Sequence, residues 1–546
     1  MAHIDVSRLS YELPTGELLF EDVSFRVGDG QVAALIGING VGKSTLLRIL
    51  AGQIAHRDGA VTTGGTLRYL SQAVGFDDQS RTVREMLLNL TDKDLAQVGH
   101  RIGDAQAALE GGDDSAGIEL GAALADWGSM GGYDLEAQWD AACRRVLGLG
   151  MDQVETRNLS ELSGGERKRL LLEVLLHSAA DILLLDEPDN YLDIPGKRWL
   201  EDELRTTQKT VLIVSHDRSV LSTSVSRIIT LEPDGAWVHG ESYASYSDAR
   251  ESRQQLMGDE VKRWHEEERR LYRHYKTMKQ RAAQNDKNAP KADAAESRWR
   301  RWERSGPPPP PARAQSLKVR LVGAASAQRV LRLEDVVIPG LVSSFNAEVL
   351  FGERLGLIGG NGAGKTHLAR LLAGQVIEHH GRVVFGNRTS VGLFTQINVR
   401  PDFVGRKVVE IVLERVGTFE QAMGALSRYG LQSTARRDFD QLSGGQRARL
   451  EILCLELEQR NVLILDEPTD NLDIESAEAL EHALDSFEGT VVAVTHDRTF
   501  LSRFDRFLLV APDTQVYEIT DADEALAVLE SRRRSADLTG LKLLSA

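Results

Sequence analysis

GINGVGKST at Gly37–Thr45 returns in the second half of the chain as GGNGAGKTH at Gly359–His367. Each copy follows a short apolar strand, AALIG or LGLIG, and leads into a helical run, LLRILAG or LARLLAG. Glycines at this spacing let successive main-chain amides wrap an anion, and the helix that follows offers it a positive N-terminus. A lysine and a hydroxyl at the end of the loop supply a cation for phosphate and a ligand for its metal ion. The stretch therefore predicts a phosphate-binding P-loop in a strand–loop–helix setting, twice, and with it an α/β fold. Gly37, Asn39, Gly40, Gly42, Lys43, Ser44 and Thr45 are the first set of candidate ligands. Gly359, Asn361, Gly362, Gly364, Lys365, Thr366 and His367 are the second.

Working outward, three more elements recur in the same order. LSGGE at Leu162–Glu166 is echoed by LSGGQ at Leu442–Gln446, and ILLLDEP at Ile182–Pro188 by VLILDEP at Val462–Pro468. IVSHDR at Ile213–Arg218 is echoed by AVTHDR at Ala493–Arg498. A repeat of this kind means two copies of one unit. Asp186 and Asp466 end apolar strands at the edge where such sheets bind ligands, and are candidates to hold Mg²⁺ with Ser44 and Thr366. Glu187 and Glu467 come next and can act as general bases on water. The interval from Asp186 to His216 equals that from Asp466 to His496, a matched spacing that favours a role at the γ-phosphate over a structural histidine. Ser163, Gly164 and Gly165, and likewise Ser443, Gly444 and Gly445, open helices and form a second phosphate-facing N-terminus. Gln72 follows Lys43 at nearly the interval by which Gln396 follows Lys365. Both glutamines are assigned to the nucleotide and Mg²⁺ on the strength of the repeat.

The offset between copies places an insertion. It is nearly constant from Lys43 to Gln72, smaller from Ser163 onward, and constant again through Asp186 and His216. The first half therefore carries about 44 additional residues, and they lie between Gln72 and Ser163. EGGDDSAG reads as an exposed turn between helical flanks, which predicts a helical arm at about 90–132. Between the halves the composition changes. Lys262–Arg304 holds 14 Lys/Arg against 7 Asp/Glu, a net charge of +7 in a chain whose total is −16. Met257, Val261, Trp264, Glu268, Leu271, Tyr275, Met278 and Ala282 alternate in steps of four and three, a heptad seam with one charged break. A helix is expected from about Asp248 to Ala283, a tip at Asn285–Pro290, a return helix at Lys291–Arg304, and a stiff spacer at Pro307–Pro311. The expected domains are residues 1–246, a basic hairpin linker at 247–320, a second unit at 321–520 and a short tail at 521–546. Trp264, Trp299 and Trp302 read first as the glue of the hairpin. Lys276, Lys279, Arg281, Lys287 and Lys291 are the candidate contacts to a polyanion such as nucleic-acid phosphate.

The rest of the composition narrows the class. Cys143 and Cys454 are the only cysteines, which speaks against a disulfide framework and for a reducing, cytoplasmic setting. No apolar run approaches the length of a membrane-spanning helix, and MAHIDVSRLSYEL lacks a basic segment followed by an apolar one, so neither a transmembrane helix nor a secretory signal is expected.

P-loop, glutamine, LSGG, DEP and HD elements together resemble the ATP-binding cassette (ABC) superfamily across both halves. The resemblance implies two ABC-type nucleotide-binding domains, each a P-loop sheet core plus a helical lobe, joined by a long α-helical hairpin. It implies a head-to-tail pairing within one monomer, in which Lys43 shares an ATP with Ser443 and Gly445, and Lys365 with Ser163 and Gly165. Tyr11 is placed to stack on adenine in the first half, whereas LRLEDVVIPG at Leu331–Gly340 offers no aromatic in the second. Tandem cassettes, a basic linker, an inserted arm and GESYASYSDAR at Gly240–Arg250 are similar, more narrowly, to the ABC-F family. That implies a ribosome partner, with ribosomal RNA and tRNA met through hairpin and arm, and a task in antibiotic protection or relief of stalled translation. Both motifs depart beside the glutamates from the DEPTNHLD usual in the family: DEPDNYLD has Asp189 and Tyr191, and DEPTDNLD has Asp470 and Asn471. The competing reading is the ATPase subunit of a drug exporter, which leaves hairpin and arm without a role.

Overall fold

The computed structural model describes residues 1–72, 81–309, 319–321, 326–395, 400–470, 472–530, 538 and 541–545. Gln396, Asn471 and the end of the Pro307–Pro311 run lie outside the described residues. The chain divides into two compact units, one of residues 1–240 with 315–546 and one of residues 241–314.

The larger unit contains both cassettes. In the first, strands run in the order Leu67–Leu70, Ile182–Asp186, Thr210–Val214, Val32–Ile36, Arg227–Glu232 and Gly235–His239, six among the described residues. The first five are parallel and the last is antiparallel. VAALI, ILLLD and TVLIV are buried at every position, as strands covered on both faces must be. The second cassette repeats this order with Val391–Phe394, Val462–Asp466, Thr490–Val494, Arg354–Gly359, Arg506–Val510 and Val516–Ile519. A three-stranded antiparallel sheet accompanies each, built on His3–Glu12 and on Arg329–Ile338. The carboxyl ends of the parallel strands carry both P-loops and both Asp-Glu pairs, so the topology alone gathers the repeated motifs at one edge of each sheet.

Within residues 521–546, expected as a short tail, a helix and a strand are built into the second cassette. Helix Ala522–Glu530 buries Ala525, Val528 and Leu529 in its core and touches helix Ile194–Thr206 of the first cassette. Lys542–Leu543 pairs as one more strand with Val516–Ile519. Apolar residues at helical spacing explain the burial; the segment is too short to announce itself by composition.

In the inserted region, helices Lys93–Glu110 and Ala116–Ser129 pack on each other. Arg101 bonds Glu119 and Asp126 across them, and Trp127 lies fully buried against Trp139 at 6.3 Å.

The smaller unit is an antiparallel helical hairpin, Tyr243–Gln284 and Ala289–Ser305. The first helix starts before Asp248 because Ser242 is extended at its start and Tyr243 stacks on Tyr246 one turn later. Tyr246, Leu271, Ala292 and Ala295 are its buried residues among those described, and the aromatic side chains clasp the helices together. Trp264 stacks on Trp302 at 6.2 Å, and Tyr275 on Trp299 at 5.6 Å with rings 3° apart. The tryptophans are thus structural, and each such pair contributes about 0.5–1.5 kcal/mol beyond area burial. Lys276, Lys279, Arg281, Lys287 and Lys291 are all exposed.

Candidate nucleotide-binding site

Each P-loop helix, Lys43–Leu50 and Lys365–Leu372, begins at a glycine in the left-handed region: Gly42 at φ +107° and Gly364 at φ +94°. A Cβ at Gly42 would stand 2.8 Å from Leu19, and at Gly364 2.9 Å from Leu341, so neither position admits a side chain. The lysines fold back on their own loops. Lys43 Nζ donates to Gly37 O at 2.8 Å, and Lys365 Nζ to Gly359 O and Gly360 O, both at 2.9 Å. Both are buried and held below the usual lysine pKa by that burial.

The acidic edge is strained in both halves at the same residue. Glu187 and Glu467 each adopt φ +48°, a conformation that costs a non-glycine residue about 1–3 kcal/mol and recurs at functional sites. Burial, reinforced by Asp186, pushes the Glu187 carboxyl up to about 7; burial and Asp470 push Glu467 well above its usual value. Gln72 Nε2 donates to Glu187 Oε2 at 2.5 Å and Asn190 Nδ2 to the same oxygen at 2.7 Å. His496 lies 3.7 Å from Glu467, and its main-chain N–H donates to that carboxylate at 3.1 Å. Burial and the neighbouring Lys43 hold His216 down to about 3, and burial with Lys365 lowers His496, so both rings are neutral.

The helices opened by Ser163 and Ser443 carry the reciprocal caps expected of S-x-x-E/Q. Ser163 Oγ accepts from Glu166 N and Ser443 Oγ from Gln446 N. The first of these helix starts meets the opposite P-loop. A cavity of about 360 Å³ is lined by Asn361, Gly364, Lys365, Thr366, His367, Glu467 and His496 from the second cassette, and by Ser163, Gly164, Gly165, Tyr191 and Lys197 from the first. That volume suits a small-molecule ligand. Asn361 Nδ2 donates across the junction to Tyr191 O at 3.0 Å. At the other P-loop, Asn39 N donates across to Asp473 Oδ2 at 3.1 Å. Tyr11 lies 6.1 Å from Phe20, whose ring edge lies against Gly42, and is half-buried at the first P-loop. In the second cassette, Ile338 pairs with Val342 where Tyr11 pairs with Phe20.

Sequence reasoning passed over four residues that tie the cassettes together. Arg218 is paired with Glu481 and Arg498 with Glu201, each across the junction, with both carboxylates buried. The repeat that relates Asp186 to Asp466 also relates Arg218 to Arg498 and Glu201 to Glu481, which marks them as a matched set but not as partners.

The profile of the ABC transporter family matches residues 20–190 and 342–470. The chain belongs to the ABC family, in its ABC-F branch. It is 41% identical over 545 residues to an "Antibiotic resistance protein" of Mycobacteroides abscessus, covering 95% of this chain and 99% of that one. It is 32% identical to the tylosin resistance ATP-binding protein TlrC of Streptomyces fradiae, over 89% of this chain and 93% of that one. The fold is shared with an archaeal ribosome recycling factor solved with a ribosomal stalk protein, at TM-score 0.55 and 20% identity over 98% of this chain and 96% of that one. As a member of this family the chain binds and hydrolyses ATP. No helix among the described residues is long and apolar enough to cross a membrane.

Proposed function

We propose that two ATP molecules bind at the junction, each between one P-loop and the LSGG helix of the other cassette, and that their hydrolysis opens and closes the pair on a ribosome. The observation that carries this is the cavity in which Lys365, Glu467 and His496 face Ser163, Gly164 and Gly165. Ser163–Gly165 turn their helix N-terminus to the γ-phosphate bound by Lys365, and Ser443–Gly445 do the same for Lys43. Tyr11 stacks on the first adenine. Glu187 and Glu467 take a proton from the attacking water, and His216 and His496 orient the γ-phosphate as neutral rings.

The residues fit Mg²⁺. Asp186 and Asp466 are buried, and each keeps one carboxylate oxygen without a hydrogen-bond partner among the described residues. Beside them lie the hydroxyls of Ser44 and of Thr366, the latter 3.2 Å from Asp466. Ser44 with Asp186 and Thr366 with Asp466 would hold the ion, with Gln72 and Gln396 at its edge. The ion neutralises charge on the transferring phosphate.

The ABC-F resemblance names the ribosome, and the resistance-protein relatives favour protection of it from antibiotics. The exposed cations Lys276, Lys279, Arg281, Lys287 and Lys291 supply the contact to RNA phosphate. The test is sedimentation of the Glu187→Gln, Glu467→Gln double variant with purified ribosomes and ATP. It is expected to pellet with them at low salt, and neutralising the five cations is expected to release it at about 150 mM salt. A double variant that stays in the supernatant, or partitions with membranes, overturns the ribosome reading.

A further inference from the structure

Most charges at the junction obey the repeat, but the cluster around Lys197 does not, and Asp470 stands where the first half has Asn190. In the second half Ala477 stands where the first has Lys197, and Thr469 where the first has Asp189. Lys197 is 7% exposed and stands on helix Ile194–Thr206 of the first cassette. Its Nζ lies 2.9 Å from Asp217 Oδ2 of its own cassette and donates at 3.3 Å to the main-chain oxygen of His496 in the other. It lines the cavity that holds Lys365, Glu467, Asp470 and His496.

The neighbouring carboxylates explain why a cation is needed. Asp189, Asp217, Asp470 and Asp497 converge on one small space beside Lys197 and Arg218. Asp189 and Asp217 come from the first cassette, Asp470 and Asp497 from the second, so closure drives like charges together. Burial pushes Asp470 up to about 6, and Lys197 opposes that shift. Lys197 also acts on Glu467 and His496, while the leading influences on Glu187 and His216, after burial, are Asp186, Lys43 and Asp473. A lysine serving only its own cassette would be satisfied by Asp217 and Asp189. The bond to His496 exists only when the halves are together.

We propose that Lys197 is a positioning residue for the second junction site alone: from the first cassette it fixes the His496 loop beside Glu467 and supplies the counter-charge that lets Asp470 close against Asp189 and Asp217. The first site has no such residue, because Ala477 stands in its place. The consequence is unequal sites, with the one built on Lys365 held shut by a lysine bond to the His496 main chain that the one built on Lys43 lacks. This rests on the composite-site reading above.

The test uses the full chain carrying Glu187→Gln and Glu467→Gln, loaded with radiolabelled ATP and chased with unlabelled ATP. Adding Lys197→Met is expected to speed release of one of the two retained nucleotides at least tenfold. Lys197→Ala combined with Asp189→Thr, which copies the residues of the second half, is expected to restore slow release. Acceleration of both nucleotides alike, or of neither, overturns the proposal, as does a failure of the double substitution to restore retention. A parent that retains no nucleotide overturns the composite-site reading, and the proposal falls with it. Turnover gives a second reading: Lys197→Met should lower kcat at least tenfold more in the Glu187→Gln background than in the Glu467→Gln background, with KM for ATP changing less than twofold in either. A structural role would move both backgrounds together.

Discussion

The two P-loops each reach across to the opposite cassette, one through Asn361 Nδ2 to Tyr191 O and the other through Asn39 N to Asp473 Oδ2. The reactive groups are the same at both places, down to the φ of +48° at each glutamate. Their surroundings are not. Lys168 is fully buried in the first cassette, its Nζ without a hydrogen-bond partner among the described residues and its pKa held down to about 8 by burial, where the second has Ala448. Asp189 and Lys197 stand against Thr469 and Ala477, and Tyr11 against Ile338. Hydrolysis needs a fixed set of atoms at each site, so those positions repeat. The residues behind them need only balance charge and fill space, and there the halves have separated. Two sites with one chemistry and two environments should differ in rate and in how tightly they hold nucleotide.

The largest effect should come from the glutamates. Replacing both by glutamine removes general-base assistance, worth about 10²–10⁴-fold, and should lower steady-state phosphate release at least a hundredfold. The single variants put the comparison at risk. Glu187→Gln leaves turnover to the Lys365 site and Glu467→Gln to the Lys43 site, and their residual rates should differ by more than threefold. Equal rates would mean that the buried charges do not reach the chemistry.

Next in size is a steric change confined to one side. A Cβ at Gly165 would stand 2.5 Å from Asn361 Nδ2 of the opposite cassette and 2.9 Å from Tyr191 O of its own. The second of these is main chain and cannot swing aside. Gly165→Val should therefore cut turnover by the Lys365 site about tenfold or more, read in the Glu187→Gln background, through misplacement of the LSGG helix. A larger loss in the Glu467→Gln background would reverse the assignment of faces.

How much of this was legible in the sequence depended on whether a residue obeyed a period. The P-loops, the Asp-Glu pairs and the α/β class followed from motifs with a fixed local setting, and the hairpin followed from its heptad seam. Leu271 is buried and the other seam residues, Met257 through Ala282, are half-buried. Lys197 was not legible, because nothing local distinguishes it from the exposed Lys279 or any other helical lysine. Only the fold brings Asp217 to it from beyond the next strand, and His496 from the other cassette. The Arg218–Glu481 and Arg498–Glu201 pairs were half-legible, since the repeat relates them but composition cannot say which arginine crosses the junction. Helix Ala522–Glu530 was missed because its partners lie in a core assembled from distant strands.

The smallest effect concerns Tyr11. Its ring sits beside Phe20 at the first P-loop, and aromatic contacts of this kind are worth about 0.5–1.5 kcal/mol, or roughly two- to tenfold in affinity. Tyr11→Leu keeps the apolar bulk on Phe20 and removes the flat face. ATP affinity at the Lys43 site should fall by about that factor, measured by titrating a fluorescent ATP analogue into the Glu187→Gln, Glu467→Gln chain and resolving two classes of site. Every purine presents a π-face, so GTP should lose the same factor as ATP. Loss of ATP affinity with GTP unchanged would show that Tyr11 acts through its hydroxyl instead. The matching change in the other half, Ile338→Leu, removes no aromatic ring, and its site should keep its affinity; a fall there would make the two halves more alike than their residues imply.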